Sequence, residues 1–328
     1  MKVGKVPENV LKRSVMKQLH YRRDEVVQGP GIGEDCAAIA LEPDEILVMS
    51  TDPITGTTKD VGKLAIQITA NDLASSGAEP IGVMLTILLP DGTREIALKR
   101  IMEQMEEACR NAHIQIMGGH TEVTKTVNQP VVSVTGVAKA KKGHLVTTAG
   151  VEPGMDIVLT KWIGIEGTTI LAKERETELK EYFPESFVDV AIGFEQYLSV
   201  VPEAAVAVKS GVRAMHDVTE GGIYGALWEM AEASGVGLEI DLKKIPIRQE
   251  TVEICEYFDI NPYGLISSGA MLMAAEDGDA LVRALHQAGI EATRIGKAVE
   301  GNDRVIMRGD EKRFLEPPKT DELYRVLG

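Results

Sequence analysis

Three aspartates, Asp35, Asp52 and Asp72, stand in settings where a carboxylate could hold a divalent cation against a polyphosphate. Asp35 closes GPGIGED at 29–35, where Gly29, Gly31 and Gly33 let backbone N–H groups approach an anion as a nest. No Gly-Lys-Ser/Thr follows, so this is not a phosphate-binding loop of the Walker type, and a plain surface turn explains the stretch equally well. Asp52 ends the apolar run ILVMST, where strands of α/β proteins commonly meet ligands; a turn-forming Asp before Pro53 is the competing reading. Asp72 carries an argument of its own. On a helix starting near Val61, the apolar stripe Val61, Leu64, Ala65, Ile68 runs into it, and a carboxylate is costly there unless it is paired or holds a metal. Asn71 beside it offers a neutral oxygen or a donor.

Two further clusters add candidates. In MGGHTEVT at 117–124, the pair Gly118 and Gly119 closes a short strand from Ile114 to Ile116 and permits close approach to phosphate. Thr121 and Glu122 supply oxygens beyond it, whereas His120 reads more simply as a structural histidine. In HDVTEGG at 216–222, Asp217 and Glu220 stand three residues apart before paired glycines and an apolar helix, the spacing of a capping box. The same Asp217 is a candidate ligand or proton acceptor at a helix N-terminus. Ser267 and Ser268 before Gly269 form a weaker small-residue contact. Oxygen donors without clustered thiolate or imidazole favour Mg2+ over zinc or iron.

The elements that must position these groups alternate in type. Residues 46–50, 81–89 and 131–140 read as strands, and 61–76 and 94–112 as helices. The second helix carries the stripe Leu98, Ile101, Met102, Met105, Cys109, Ala112. Val10, Leu11, Val15 and Leu19 predict an amphipathic N-terminal helix with a basic face. A Gly- and Lys-rich stretch at 141–154, ending in Pro153-Gly154, divides the chain into domains 1–150 and 151–328. Beyond it, strands are predicted at 157–161, 238–241 and 269–275 and helices at 221–235 and 278–289. The pattern is that of two α/β (α+β) domains.

Composition narrows the function. The 328 residues exceed what one core usually holds, and 44% hydrophobic with 26% charged residues is ordinary for a globular chain. A net charge of −15 and 4% aromatics argue against nucleic acid as the partner. No apolar run approaches the roughly 18 residues of a membrane span, and the basic start has no apolar signal region. Cys36, Cys109 and Cys255, odd in number and far apart, fit a reducing cytoplasm. Cys255, in TVEICEYF, reads as a buried helix thiol.

Taken in order, GIGEDCAA, STDP, ANDLASSGAEP, GGHTEVT, PGMDIVLTKWIGIEGTTILA and HDVTEGGIYGALWEMAEASGVGLEIDLKKIPI resemble segments of the aminoimidazole ribonucleotide synthetase-like (PurM-like) superfamily. That superfamily includes thiamine-monophosphate kinase, selenophosphate synthetase and the hydrogenase maturation factor HypE, and the run at 216–247 is most similar to the HypE branch. The resemblance implies an N-terminal domain whose sheet forms a homodimer and a C-terminal domain closing over substrate. It implies ATP with Mg2+ at Asp35, Asp52 and Asp72, with Gly31, Gly33, Asn71, Gly118, Gly119 and Thr121 around the nucleotide. Asp72 and Asp217 are the expected catalytic positions, and the expected chemistry is phosphorylation of an acceptor oxygen. The sequence departs from the pattern twice. His120 stands where the family commonly has an acidic residue, with Glu122 as the substitute ligand. The Pro-Arg-Ile-Cys-type tail of HypE is replaced by DELYRVLG, so the acceptor is expected to be a separate small molecule or a carrier's cysteine in trans. A small-molecule kinase and a non-catalytic ATP-binding maturation factor are the alternatives.

Overall fold

A computed structural model describes residues 1–31, 34, 36–54, 60–317 and 320–328. Two compact units divide it, residues 1–74 with 78–145, and residues 75–77 with 146–328.

The first unit is built on a five-stranded sheet in the order β1-β6-β5-β7-β4. Its strands are β1 (Gly4–Lys5), β4 (Glu45–Ile54), β5 (Glu79–Pro90), β6 (Gln115–Thr124) and β7 (Val131–Lys141). A short ladder of β2 (Val26–Gln28) with β3 (Ala38–Ile39) stands apart. The helices are α1 (Glu8–Ser14), α2 (Val61–Ser75) and α3 (Glu95–Asn111). β5 and β6 run parallel, joined through α3, whose Leu98, Ile101, Met102, Met105 and Cys109 are buried as the stripe predicts. The amphipathic N-terminal stretch is not one helix. α1 stops at Ser14, and a 3-10 turn over Met16–Gln18 brings Leu19 inside. The Glu106 carboxylate of α3 then accepts the His20 and Tyr21 backbone N–H groups, each at 2.6 Å.

In α2 the buried face is also rotated from the expected stripe. Val61, Ala65, Ile66, Thr69, Ala70 and Leu73 are buried, whereas Leu64, Ile68 and Asp72 lie half-buried along its flank. The sheet sets this rotation. Gly136 of β7 has no side chain, and a Cβ there would fall 2.3 Å from Thr69 Cγ2 and 2.8 Å from Leu73 Cδ1. The helix therefore presses those two residues into the gap at Gly136, and its flank turns towards β4.

The second unit carries a seven-stranded mixed sheet, β14-β13-β10-β12-β8-β11-β9. The strands are β8 (Asp156–Thr160), β9 (Ala214–Asp217), β10 (Gly237–Asp241), β11 (Met271–Ala275), β12 (Ala292–Val299), β13 (Arg304–Arg308) and β14 (Glu311–Phe314). The helices are α4 (Ile165–Glu174), α5 (Glu176–Tyr182), α6 (Glu185–Gly193), α7 (Val201–Lys209), α8 (Gly222–Ser234), α9 (Gln249–Tyr257), α10 (Gly278–Gln287) and α11 (Tyr324–Leu327). Central strands such as β11 are buried on both faces, which is why MLMAA reads as an unbroken apolar run. One core lies on the sheet around Ile157, Leu159, Leu227 and Leu272; another packs α4, α6, α9 and the C-terminal residues around Leu171, Ile254 and Leu323. Between α7 and β8, Lys161 is buried and its ammonium reaches Glu203 Oε1 at 2.6 Å and the carbonyls of Tyr197 and Ser199 at 2.8 and 2.6 Å.

Candidate functional site

On a strand, alternate side chains share a face, so Ser50 and Asp52 of β4 point the same way. The rotated flank of α2 lays Asp72 beside them. Ser50 Oγ donates to Asp72 Oδ2 at 2.6 Å and lies 3.3 Å from Asp52 Oδ2. Two carboxylates from elements 20 positions apart thus meet over one hydroxyl, both half-buried and open to solvent on one side. Like charges held this close disfavour one another unless a cation lies between them, and half-exposed oxygen donors match the preference of Mg2+. Asn71, expected near the nucleotide, is fully buried on α2. Ser50 was not among the residues singled out from sequence, although its spacing of two from Asp52 placed it on the same strand face.

The glycine positions gather elsewhere in the unit. Gly31, Gly118, Gly119 and Thr121 line a pocket of about 650 Å³, with Glu34, Cys36, Met84 and Thr86. β6 does not end at Gly118-Gly119 as the sequence suggested; it runs through them to Thr124. Met117 is accommodated as an extra residue opposite β5, since Val83 pairs with Ile116 and Met84 with Gly118. Gly119 is at φ 147, and a Cβ on it would meet the Leu85 carbonyl oxygen at 2.0 Å, so only glycine fits. Gly33 and Asp35 lie outside the described residues.

Glu122 does not join the aspartates. It sits on β6 with His120, whose Nε2 lies 3.1 Å from Glu122 Oε2. β5 and β7 separate β6 from β4, and three strand spacings amount to about 14 Å. Among the described residues no group of three His, Cys, Asp or Glu side chains is close enough to hold a metal ion.

In the second unit Asp217 is buried at the end of β9, opposite Met271 of β11. The capping box expected of Asp217 and Glu220 does not form. Asp217 belongs to the strand, and α8 starts at Gly222 behind Gly221, the two at φ 60 and 79, with no side-chain cap from its own stretch. A Cβ on Gly222 would lie 2.6 Å from the Tyr263 carbonyl oxygen, which explains the glycine. The Gly221 N–H instead donates to Asp321 Oδ2 at 2.7 Å. Ser267 Oγ accepts from the Gly164 N–H at 2.7 Å, tying the start of α4 to the approach to β11. Cys255 is buried in α9, as its apolar context predicted, and burial pushes its thiol up to about 12.

Comparison with known proteins agrees with this architecture. Residues 33–140 match the model of the AIR synthase related protein, N-terminal domain, and residues 152–308 that of its C-terminal domain. The chain is 33% identical over 288 residues to a carbamoyl dehydratase HypE of Cupriavidus necator, covering 84% of this chain and 80% of that one. The crystal structure of a hydrogenase maturation protein HypE in complex with ATP superposes with a TM-score of 0.82 at 20% identity, covering 98% and 97% of the two chains. A thiamine-monophosphate kinase of Stenotrophomonas maltophilia superposes with a TM-score of 0.75 at 21% identity, covering 92% and 97%.

Proposed function

This chain belongs to the AIR synthase related family, and from that premise we propose that it is a HypE-like, Mg2+-dependent enzyme that uses ATP to activate an acceptor oxygen. The observation that carries the reading is the pair Asp52 and Asp72 meeting over the Ser50 hydroxyl. These are hard oxygen donors, half-exposed and pre-oriented, and they fit Mg2+ with water completing its shell. Bound there with ATP, the ion would neutralise charge on the transferred phosphoryl group. Asp35 belongs to the same proposed ligand set. Gly31, Gly33, Gly118, Gly119 and Thr121 would receive the nucleotide where backbone approaches closely; the interior position of Asn71 makes it a support for α2. Glu122, on a different strand, would join a metal only through a second copy.

We also propose a homodimer built on the first unit's sheet. β4 is an edge strand, and it exposes Leu47 and Met49 by 48% and 58%. Asp217, at a strand end in the second unit, is the residue we assign to proton acceptance from the acceptor. The chemistry follows that of the named relative, a carbamoyl dehydratase. A carbamoyl oxygen attacks the terminal phosphorus, ADP leaves, and loss of phosphate with two protons turns the amide carbon into a nitrile. Cys255 is buried in α9, and we assign the carbamoyl carrier to another molecule's thiol. We place the enzyme in the cytoplasm, where thiols stay reduced.

The test combines binding and product analysis. ATP affinity measured by calorimetry should require Mg2+ and fall at least tenfold in Asp72→Asn. Incubation with ATP and an S-carbamoylated cysteine peptide should release ADP and phosphate and lighten the peptide by the mass of one water. Unchanged affinity in the variant would sink the site. A stable phosphorylated product from thiamine monophosphate would replace the dehydratase reading with a kinase.

A further inference from the structure

Three segments of the second unit bring acidic groups towards one place, two of them buried. Glu166, in the first turn of α4, is buried, and its Oε2 has no hydrogen-bond partner among the described residues. Ser268 is buried beside the same carboxyl, and its Oγ likewise has no hydrogen-bond partner among the described residues. Asp321 stands close by, its oxygens taken by the N–H groups of Gly221 at 2.7 Å, Leu323 at 2.8 Å and Ile266. Glu220 completes the group and accepts the Tyr324 hydroxyl proton at 2.8 Å.

The remaining charges on these elements are engaged elsewhere. Lys173 of α4 pairs with Glu195, Glu322 pairs with Arg325 at 2.8 Å, and Arg175 donates to the Val326 carbonyl at 2.9 Å. Asp321 and Glu220 thus both act on the buried Glu166 carboxyl, and residues 320–328 supply Asp321, Tyr324 and the buried Leu323.

We propose that docking of residues 320–328 onto the second unit is coupled to a proton on Glu166: the segment is held down while Glu166 is protonated and loosens when that proton leaves. A buried carboxylate without a partner is costly, and more so beside Asp321 and Glu220. Lifting the segment removes Asp321 and admits water, which relieves both costs. Burial raises the Glu166 carboxyl to about 7, with Asp321 and Glu220 adding to the rise and Ser268 opposing it. Burial raises Asp321 as well. The sign follows from linkage. A group whose pKa is raised in the docked state favours docking below its undocked value and withdraws that support as pH rises through the docked one. Docking is thus fully supported below about pH 4.5 and weakens as pH passes about 7.

Hydrogen exchange on the full chain between pH 6 and 8.5 tests this, with rates corrected for the intrinsic pH dependence. Protection of the Leu323, Val326 and Leu327 amides, each bonded within the docked segment, should fall with pH by at least about threefold. With the docked value at about 7, the change over that range is capped at about tenfold. Glu166→Gln, neutral at every pH, should keep the segment protected throughout. Glu220→Gln, at an exposed position that still accepts from Tyr324, should move the transition to lower pH without abolishing it. Because the wild-type profile stands alone, misfolding of either variant leaves the proposal testable. Corrected protection flat across the range, or an unchanged profile in folded Glu166→Gln, overturns it.

Discussion

Ser50 Oγ donates to the Asp72 carboxylate at 2.6 Å, and this bond fixes a helix carboxylate beside a strand carboxylate before any ligand arrives. Each partner alone is ordinary. Together they define an opening with two negative oxygens and a hydroxyl whose orientation is already set, the condition under which a cation binds without first ordering its ligands.

The hydroxyl should matter less than the carboxylates. Ser50→Ala is expected to weaken Mg2+-dependent ATP binding about tenfold, the scale of a lost supporting hydrogen bond at a metal site. Asp52→Asn and Asp72→Asn should each weaken it further. Calorimetric titrations with and without Mg2+ separate the two sizes of effect, and equal losses in all three variants would contradict the ranking.

Gly136 should control the same site from a neighbouring strand. It is the register partner of Ser50, and its missing side chain is what lets α2 approach. Gly136→Val is expected to push α2 outward, cost about 1–3 kcal/mol of stability in the first unit and lower metal-dependent nucleotide affinity. Thermal unfolding with nucleotide titration reads both; loss of stability with intact binding would break the link.

The buried Lys161–Glu203 pair gives a prediction about the second unit alone. Lys161→Met strips Glu203 of its partner in the interior, and leaving a buried charge alone costs about 3–5 kcal/mol. The double variant Lys161→Met with Glu203→Leu should recover much of this. Urea unfolding of the four members of the cycle tests the recovery.

Acid should weaken the first unit through Glu25. Arg23, and behind it Lys139, hold the Glu25 carboxyl well below the usual carboxylate range, with contacts of 2.6 Å from each. A depressed pKa gives stability that is present above the unfolded value, near 4.5, and lost as pH falls below it. Glu25→Gln should lower stability at pH 7 and flatten the loss below about pH 4.5. Parallel denaturant titrations at pH 7 and pH 3 measure the difference.

How much of this could be read in the residues varies with how local the cause is. The α3 stripe was legible because a helix facing a sheet repeats its own period, and Leu98 to Cys109 obeyed it. The rotation of α2 was not, since it depends on Gly136, a glycine sixty positions on whose lack of a side chain looks like nothing in the sequence. Asp52 and Asp72 were singled out from the sequence, but their bridge at Ser50 needed the packing of α2 beside β4. Glu166 did leave a signal, a lone carboxylate in IGIEGTTILA; Asp321 left none, because its partners are the backbone of other segments.

The bond from the Gly221 N–H to Asp321 spans 100 positions of the chain. The ribosome makes α8 long before it makes the carboxylate that closes its first turn. Until residue 321 emerges, the helix start has neither that partner nor a side-chain cap of its own, and the nascent second unit remains unfinished. A chain that stalls before residue 321 therefore carries an open helix start, its backbone N–H left to water until Asp321 arrives.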